Sequence, residues 1–409
     1  MSSSAETRGG EAEGRLDGRL AELHASVVSR LDASLLLRPQ QEQPERALRA
    51  VMPLCRRAGI TRLGDLTGLD RLGLPVVQAV RPAALSEVTS LGRGFAKAEA
   101  ALGAIMEALE RYFAESIAEG RIFHATADEL NIADGLFDNL LVPEHRGSWR
   151  HRKISWIAGL DVAKGAMHPV PLELVHTRYS EPPPPDDGLF LRTTTGLACH
   201  RSADAAFLHG LLECIERDAI ARAFATHGFF DRMRIASSGL GEKIDQILSI
   251  AGAHGVSFAL WLAPSPAGVP VVWCQTIETG PGEPVLALPT EGYAAGPSLE
   301  AAASSAMLEA LSARAGAISG ARDDQTREHY RRSTDAIVAK ARALILDGEA
   351  AVRTAEPLSA VPDLRSLLQR VVKAGLGPIL AVPVEADAET GVHCVRTVLP
   401  GATAFFVLR

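Results

Sequence analysis

The sequence predicts an α+β protein in which mixed sheets carry a few long helices. Two observations support this class. Apolar residues recur at helical spacing through residues 102–115, 203–225 and 299–318, the pattern of helices with one buried face. Short apolar runs such as residues 154–161 and 271–277 have the length and composition of strands. Because helices and strands intermingle along the whole chain, we expect an α+β fold with mixed sheets.

The N-terminal part is predicted to be an extension and a lead-in to the main domain. Residues 1–14 are rich in Ser, Gly and Glu and are expected to be disordered, whereas residues 15–37 have the apolar spacing of a helix. A second helix is predicted over residues 44–58, ended by Gly59, and a strand over residues 75–80. The predicted divisions are a polar and helical extension (1–44), a helical and turn-rich lead-in (45–85) and a main domain (86–409).

The main domain is predicted to contain four helices and a series of strands. Residues 86–90 are expected to pair with the preceding strand, and Gly92-Arg93-Gly94 to open the first long helix. Residues 181–188 contain four consecutive prolines, which exclude a helix or central strand and indicate a polyproline loop. The first predicted helix ends at residue 118, and the other three span residues 203–225, 299–318 and 325–346. The predicted strands of this domain are 154–161, 170–174, 189–194, 258–262, 271–277, 285–288, 378–384, 395–399 and 404–408.

Composition and charge limit the function classes. The chain has 409 residues and a net charge of -7, which argues against a general nucleic-acid binder because such domains are normally basic. The five scattered cysteines have no C-x-x-C spacing and indicate reduced thiols in a cytoplasmic protein. The N-terminus lacks the apolar segment of a secretory signal, and the apolar runs are too short to span a bilayer. We therefore expect a cytoplasmic protein with no membrane or nucleic-acid partner.

A repeated E-x-x-E-R pattern points to the chemistry. Glutamates three residues apart lie on one face of a helix, where their like charges repel unless a cation lies between them. One copy alone is more typical of a solvated helix face, whereas two complete copies behind apolar stripes favour a shared site for a divalent metal. The copies consist of Glu107, Glu110 and Arg111, then Glu213, Glu216 and Arg217, and a partial third copy consists of Glu309 and Arg314.

Gly92-Arg93-Gly94 precedes the first copy of this pattern. At a helix N-terminus, a basic residue flanked by glycines can hold a phosphate group through backbone N–H groups and its own charge. The sequence contains no P-loop and no G-x-G-x-x-G motif, so the standard nucleotide-binding folds are not indicated. The residues alone therefore predict a site for Mg²⁺ and phosphate without a familiar nucleotide motif.

The ordered series of motifs resembles the YcaO family. The resemblance covers roughly residues 45–405 and implies a YcaO-type ATP-binding fold. The matching stretches are Gly92-Arg93-Gly94 before 104–111, Gly196-Leu197-Ala198 before 209–218, and Gly292-Tyr293 before 309–314. Residues 59–82 and Gly320-Ala321-Arg322-Asp323-Asp324 are similar to the TfuA-associated branch of the family.

The resemblance implies ATP- and Mg²⁺-dependent modification of a ribosomally made peptide or protein. YcaO enzymes phosphorylate a backbone amide oxygen after a nucleophile has added to the carbonyl carbon. Loss of phosphate leaves an azoline if the nucleophile is a neighbouring Cys, Ser or Thr, or a thioamide if it is an external sulfur donor. Many azoline-forming members end in a proline-rich tail, whereas residues 405–409 are mainly apolar. We therefore expect a thioamide product, a TfuA-type partner protein and, as one possible assembly, a homodimer.

The site residues are carried over from the family by motif. The glutamates would hold Mg²⁺ and orient phosphates, while Arg111 would either contact phosphate or support the carboxylates. The predicted metal ligands are Glu107, Glu110, Glu213, Glu216 and Glu309; the catalytic residues are Glu110, Glu216 and Arg217; and the cofactor-binding arginines are Arg93, Arg111, Arg201, Arg217 and Arg314.

Several positions depart from the family pattern. Arg93 replaces a lysine and Gly103 a serine, Thr195 and Arg201 stand where asparagines are favoured, and Ser305 replaces an arginine. We predict that Arg201 supplies the positive charge missing at Ser305.

Two other functions are considered beside the expected one. One is a YcaO-like protein with a decayed ATP site that acts as a peptide-binding or scaffolding partner. The other is an ordinary nucleotide-dependent ligase with a small-molecule substrate, which nothing in the sequence requires. His209, one turn before Glu213, fits either a supporting or proton-carrying role in the site or plain packing. Cys199 and Cys214 are not nominated as nucleophiles.

Overall fold

The structure is a computed structural model that describes residues 17–32, 43–320, 330, 335–351 and 360–405. In these residues the α-helices are α1 (Gly18–Asp32), α2 (Pro44–Arg57), α3 (Lys97–Glu115), α4 (Ala203–Ala225), α5 (Phe229–Arg232), α6 (Glu242–Ala253), α7 (Leu299–Ser319), α8 (Ala336–Leu346) and α9 (Leu364–Lys373). The strands are β1 (Arg62–Asp65), β2 (Val76–Val80), β3 (Thr89–Arg93), β4 (Ile122–Ala125), β5 (Ile154–Asp161), β6 (Ala166–Pro171), β7 (Leu197–His200), β8 (Arg234–Ile235), β9 (Val256–Leu262), β10 (Val271–Glu278), β11 (Thr290–Ala295), β12 (Leu380–Asp387) and β13 (Val392–Val398).

The α+β class is confirmed, with a difference in the sheets. The strands form three sheets, in the orders β1-β2-β3, β11-β10-β9-β8 and β4-β5-β12-β13-β7, with β6 beside β5 in the third. Within the described residues every pair of named strands is antiparallel. The sheets expected to be mixed are therefore antiparallel, and the long helices pack on their faces.

The long helices were predicted more accurately than the short strands. Helix α4 and strand β5 have the predicted bounds, and α7 differs by one residue. The strands predicted at 189–194 and 285–288 are absent, and strands begin instead at Leu197 and Thr290. Short apolar runs do not reveal which of two neighbouring segments will find a pairing partner, because pairing depends on distant residues.

Other predicted elements lie partly outside the described residues. These are the N-terminal disorder at 1–14, most of the motif at 320–324, the start of the helix at 325–346 and the strand at 404–408. Helices α6 and α9 and strands β1 and β4 were not predicted. Helix α8 occupies the second half of the fourth predicted helix.

The predicted boundary at residue 85 falls inside a sheet. Strand β2 pairs with β3 across this point, in a register that places Val76 opposite Arg93 and Val80 opposite Thr89. The backbone of the lead-in is thus hydrogen-bonded to the segment that precedes α3. The remaining domain divisions stay predictions.

The three largest apolar clusters hold helices against the sheets. The largest packs α1, α4 and α9 between the sheets that contain β10 and β13, with Phe207, Trp261 and Val395 at most 1% exposed. A second packs α2 and α3 on β5 and β12 around Ile105 and Leu109, and a third packs α6 and α7 on β9 and β10. The predicted apolar stripe of α3 is therefore the face that it buries.

The proline-rich segment is a loop, as predicted. Residues 181–188 contain neither helix nor strand. The buried carboxylate of Glu173 accepts hydrogen bonds from the backbone N–H groups of Gly188, Leu189 and Phe190 at 2.7–3.0 Å. One side chain thus satisfies three backbone donors at the end of the loop.

None of the helices in the described residues combines the length and apolarity needed to cross a bilayer.

Candidate functional site

Three strand–helix units form the frame of the site: β3 with α3, β7 with α4, and β11 with α7. In each unit a glycine allows backbone-to-backbone contact between strand and helix. A Cβ on Gly92 would lie 1.8 Å from the carbonyl oxygen of Ala100, and one on Gly292 would lie 2.1 Å from a carbonyl oxygen of α7. In the second unit the glycine is on the helix, where a Cβ on Gly210 would lie 2.4 Å from the oxygen of Gly196. No larger residue fits these positions without displacing backbone.

The first glutamate of each complete motif binds the strand segment of its own unit. The Glu107 carboxylate accepts the backbone N–H of Leu91 at 3.0 Å. The Glu213 carboxylate accepts the N–H of Gly196, also at 3.0 Å. These bonds hold each helix at a defined height beside its strand.

The second glutamate of each complete motif reaches the strand of the following unit. Glu110 of α3 accepts the N–H of Cys199 in β7 at 2.9 Å, and Glu216 of α4 accepts the N–H of Ala295 in β11 at 3.2 Å. The third unit closes the ring differently, since Glu309 of α7 forms an ion pair with Arg93 of β3 at 2.8 Å. The glutamates therefore link the three units in a cycle around one centre.

The third unit lacks a second glutamate. Three residues after Glu309, in the position of Glu110 and Glu216, stands Ser312, which is buried. The partial third copy that the sequence shows is thus a complete structural unit with a reduced set of carboxylates.

Burial disfavours the ionised form of the second glutamate in each complete motif, Glu110 and Glu216. It raises the pKa of Glu110 well above its ordinary value, and the charges of Glu107 and Glu213 raise it further. Burial also raises the pKa of Glu216 to about 8, against the opposing charge of Arg217 and with like charges from Glu309 and Glu213. A bound cation would relieve this cost.

The carboxylate oxygens of the site are suitable ligands for Mg²⁺, although the described residues do not form a complete coordination shell. Carboxylate oxygens are the ligands that Mg²⁺ prefers, and it commonly uses only one or two of them together with water and phosphate oxygens. Among the described residues, no group of three or more His, Cys, Asp or Glu side chains is close enough to hold an ion without other ligands. The assignment of all five glutamates as ligands of shared metal therefore stays a prediction.

Arg217 lies within this centre. Its guanidinium is 3.8 Å from Glu213 and 3.5 Å from Glu216, and it lies over the ring of Tyr293 at 5.7 Å from the ring centroid. About a quarter of the side chain is exposed. Arg217 is thus held by carboxylates while part of it faces the opening, as expected for a phosphate-binding group.

Gly92-Arg93-Gly94 does not form the predicted phosphate cradle at a helix N-terminus. Gly92 and Arg93 lie in β3, and α3 begins only at Lys97. Sheet pairing with β2 keeps these residues extended, so Gly92 serves the contact with α3. Arg93 still faces the centre, where it pairs with Glu309.

Arg111 supports the carboxylates. It is buried, and its guanidinium contacts the Glu107 and Glu87 carboxylates at 3.0 and 2.7 Å and the hydroxyl of Ser90 at 2.8 Å. Of the two roles that were left open for Arg111, this geometry favours support over phosphate contact. Its place among the cofactor-binding residues stays untested.

Arg314 lies outside the centre, contrary to expectation. Its side chain is 1% exposed and forms an ion pair with Glu278 at 2.5 Å. Five residues after Glu309, it projects from a different face of α7. In this conformation Arg314 therefore forms a buried structural ion pair and is not available to bind phosphate.

Arg201 follows β7, two residues after Cys199. Its guanidinium lies beside Gly391, in the turn between β12 and β13. Ser305, whose missing charge Arg201 is predicted to replace, is exposed on α7 one turn before Glu309. The compensation between Arg201 and Ser305 stays a prediction.

His209 belongs to the same centre. It lies one turn before Glu213, and its side chain is exposed. Desolvation by the surrounding protein lowers its pKa, with Glu213 and Glu309 opposing this effect and Arg93 adding to it. These influences favour a place in the site over plain packing. Gly103 and Ser305 occupy the corresponding positions in the other two units.

Sequence reasoning missed Arg396, a buried arginine in β13 beside Arg217. No motif marks it. The available signal was a lone basic residue in a stretch of strand composition, Cys394–Val398.

Comparison with known proteins agrees with this frame. Residues 91–403 match the family model described as YcaO cyclodehydratase, ATP- and Mg²⁺-binding. An uncharacterized protein of Methanothermobacter thermautotrophicus is 30% identical over 383 residues, covering 91% of this chain and 97% of its own length. An uncharacterized protein in the tfuA 3′ region of Rhizobium leguminosarum bv. trifolii is 29% identical, with 88% and 87% covered.

A solved structure shows the same fold. YcaO from Methanopyrus kandleri, bound with AMPPCP and Mg²⁺, superimposes with a TM-score of 0.66 at 23% identity, covering 90% of this chain and 93% of its own. The predicted cofactors, ATP and Mg²⁺, are confirmed at the level of the family, whose description names both. From the family model and the Methanothermobacter relative we conclude that this chain is a member of the YcaO family.

Proposed function

We propose that this protein uses ATP and Mg²⁺ to phosphorylate a backbone amide of a ribosomally made peptide or protein in the cytoplasm. The observation that carries the proposal is the ring of three strand–helix units. It brings Glu107, Glu110, Glu213, Glu216 and Glu309 towards one centre, and two of these carboxylates are costly there without a cation. The Methanopyrus relative, with the same fold, is described as bound with AMPPCP and Mg²⁺.

In the proposed reaction the glutamates bind Mg²⁺ and the arginines bind phosphate. Glu110 and Glu216, whose pKa values burial raises strongly, would hold Mg²⁺. Mg²⁺, when bound, neutralises charge on the triphosphate. Arg217 and Arg93, both partly exposed at the centre, would orient phosphate oxygens. Catalysis is then mainly positioning and charge neutralisation, because phosphorylation turns a poor leaving oxygen into a good one.

We further propose that the product is a thioamide and that a TfuA-type protein takes part in sulfur delivery. The Rhizobium relative in the tfuA 3′ region supports this choice, since its similarity extends over most of both chains. A homodimer remains an expected assembly.

A second function has some structural support. Glu309 is already neutralised by Arg93, Arg314 is committed to Glu278, and the described residues contain no ready-made metal cage. These features favour the alternative of a peptide-binding or scaffolding partner with a decayed ATP site.

Calorimetry separates the two functions. AMPPCP is titrated into the protein with and without Mg²⁺, and with and without a TfuA-type protein. The proposed enzyme binds AMPPCP only when Mg²⁺ is present. Absence of binding under all four conditions would contradict the enzymatic function and favour the scaffold.

A further inference from the structure

A small cavity opens beside Arg217. Its volume is about 50 Å³, and Leu140, Leu191, Val398 and Phe405 are among the apolar residues of its wall. At roughly 10–15 Å³ for each water-sized group, it holds about four such groups. That is room for one peptide unit and too little for a nucleotide. The polar residues that line it are Thr193, Thr195, Arg217, Thr397, Thr403 and Arg396.

Arg396 differs from the other buried arginines of the described residues. Although its side chain is buried, with the residue 4% exposed, no carboxylate of the described residues forms an ion pair with it. Its Nε and Nη1 atoms are buried and have no hydrogen-bond partner. The corresponding arginines with carboxylate partners are Arg30 with Asp204, Arg81 with Glu115, Arg111 with Glu107 and Arg314 with Glu278.

Arg396 is also fixed in place. Its Nη2 donates to the carbonyl oxygen of Thr193 at 2.7 Å, and the hydroxyl of Tyr179 donates to the same oxygen at 2.8 Å. The next residue, Thr397, donates to Phe207 of α4, so the strand pleat directs Arg396 to the opposite face of the sheet. Arg396 thus brings a positive charge to the wall of the cavity and has two buried donor atoms without a partner. An unpaired buried cation is costly and is typical of a binding site for negative charge.

We propose that this cavity is the subsite for the reacting peptide unit and that Arg396 binds the oxygen of the amide that becomes phosphorylated. The inference rests on the proposed function and extends it to the peptide substrate. The apolar wall would hold the chain on either side of the amide. Arg217 lines the cavity and also contacts Glu213 and Glu216, so the cavity adjoins the nucleotide centre.

The role of Arg396 follows from where charge develops. When a thiolate or hydrosulfide anion adds to the amide carbon, the new C–S bond forms and the π electrons of the C=O bond move to oxygen, which becomes an alkoxide. A lone pair of that oxygen then forms the bond to the γ-phosphorus of ATP, while the bond from phosphorus to ADP breaks. The free N–H groups of Arg396 bind the alkoxide more strongly than the neutral amide, so they favour the addition step.

The test uses small probes in place of the unidentified peptide. N-acetylglycine carries a negative oxygen beside a peptide unit, and N-acetylglycinamide is its neutral counterpart. In calorimetry the parent protein is expected to prefer the carboxylate. Arg396→Met should weaken N-acetylglycine binding at least tenfold and abolish this preference. Arg396→Lys, which keeps the charge with fewer donor directions, should give an intermediate result and keeps the test decisive if the Met variant does not fold.

Arg121→Met is the matched control. Arg121 donates to the carbonyl oxygens of Pro383 and Val384 on the same sheet, and its loss should leave probe binding within twofold. Failure of the parent to bind N-acetylglycine, or equal binding by Arg396→Met, would overturn the proposal. The affinity for AMPPCP with Mg²⁺ is measured in parallel, so a failure of the nucleotide function is seen separately. A tenfold loss of AMPPCP affinity in Arg396→Met alone would assign Arg396 to the nucleotide phosphates and also overturn the proposal.

Discussion

At the scale of the residue, the two glutamates of each complete motif have different partners. Glu107 and Glu213 bind backbone N–H groups of their own units, whereas Glu110 and Glu216 bind those of the following units. Each carboxylate therefore has a structural bond to a backbone N–H through one oxygen. The second oxygen of Glu107 accepts a hydrogen bond from Arg111 at 3.0 Å, and those of Glu213 and Glu216 lie 3.8 and 3.5 Å from Arg217, so a bound cation would share these carboxylates with arginines. The same side chain can position a helix and serve as a metal ligand.

The shared centre predicts the effect of removing one charge. Changing Glu107 or Glu213 to Gln keeps an oxygen that can accept the backbone N–H, so the fold should persist. Each change removes a ligand charge, and ATP turnover should fall by more than the ~10–100-fold typical of losing a supporting partner. Steady-state ATPase assays and circular dichroism check this. Glu99→Gln is the control. Glu99 of α3 also accepts a hydrogen bond from a backbone N–H group, that of Phe95, but it is exposed at the start of the helix. Parent-like turnover in either variant would contradict a shared site.

The missing arginine of the third motif predicts a second residue-level effect. If Arg201 replaces the charge absent at Ser305, Arg201→Asn should weaken AMPPCP binding, and the double variant with Ser305→Arg should recover much of the loss. The physical reason is that the negative charges of the phosphates must be balanced, so an arginine lost at one position has to be replaced by an arginine at another. Calorimetry on the two single variants and the double variant measures the coupling. Unchanged affinity in Arg201→Asn would end the idea.

At the scale of the element, the helices approach their strands so closely that side chains are excluded at the contact. Gly92 touches the backbone of α3 and Gly292 that of α7. This spacing is short enough for Glu107 to reach the N–H of Leu91. The glycines of the motif thus act through helix–strand distance rather than through a phosphate-binding turn.

This contact predicts the consequence of adding one methyl group. Gly92→Ala would place a Cβ 1.8 Å from a backbone oxygen, which requires α3 to move as a whole. We expect a loss of stability of about 1–3 kcal/mol or more, together with loss of Mg²⁺-dependent AMPPCP binding. Thermal denaturation and calorimetry measure both. Gly120→Ala is the matched control, since nothing lies within 4 Å of its Cβ position. A Gly92→Ala variant as stable as Gly120→Ala would contradict the close contact.

At the scale of the whole molecule, three sheets are joined by three helices in a cycle. Helix α3 reaches β7, α4 reaches β11, and the pair Glu309–Arg93 joins α7 to β3. Because the centre lies where the units meet, its geometry depends on all three. The cavity of Arg396 lies at one side of this centre, beside Arg217.

The product distinguishes the two reactions open to the family. Thioamide formation replaces an amide oxygen with sulfur and adds about 16 Da, whereas cyclodehydration loses water and removes about 18 Da. We expect the gain of about 16 Da in a peptide modified by this protein with a TfuA-type partner, ATP and a sulfur source. Tandem mass spectrometry locates the change. Water loss at a Cys, Ser or Thr would rule out the thioamide proposal.

The sequence by itself determined the class of fold, the long helices and the glutamates of the centre. These features are local: helical periodicity and three-residue spacing are properties of neighbouring residues, so they are readable before folding. The family resemblance was likewise carried by short motifs in a fixed order, and the family match confirms it.

Only the tertiary structure decided which residues meet. It showed that Gly92 and Arg93 belong to a strand, that Arg314 is committed to Glu278, and that Arg396 stands unpaired at a cavity. The partner of a strand or of a charged side chain lies tens to hundreds of residues away. A short window of sequence therefore does not show which distant segment will be that partner. A basic side chain has the same local pattern whether it binds phosphate, a buried carboxylate or nothing, because its partner is chosen by packing.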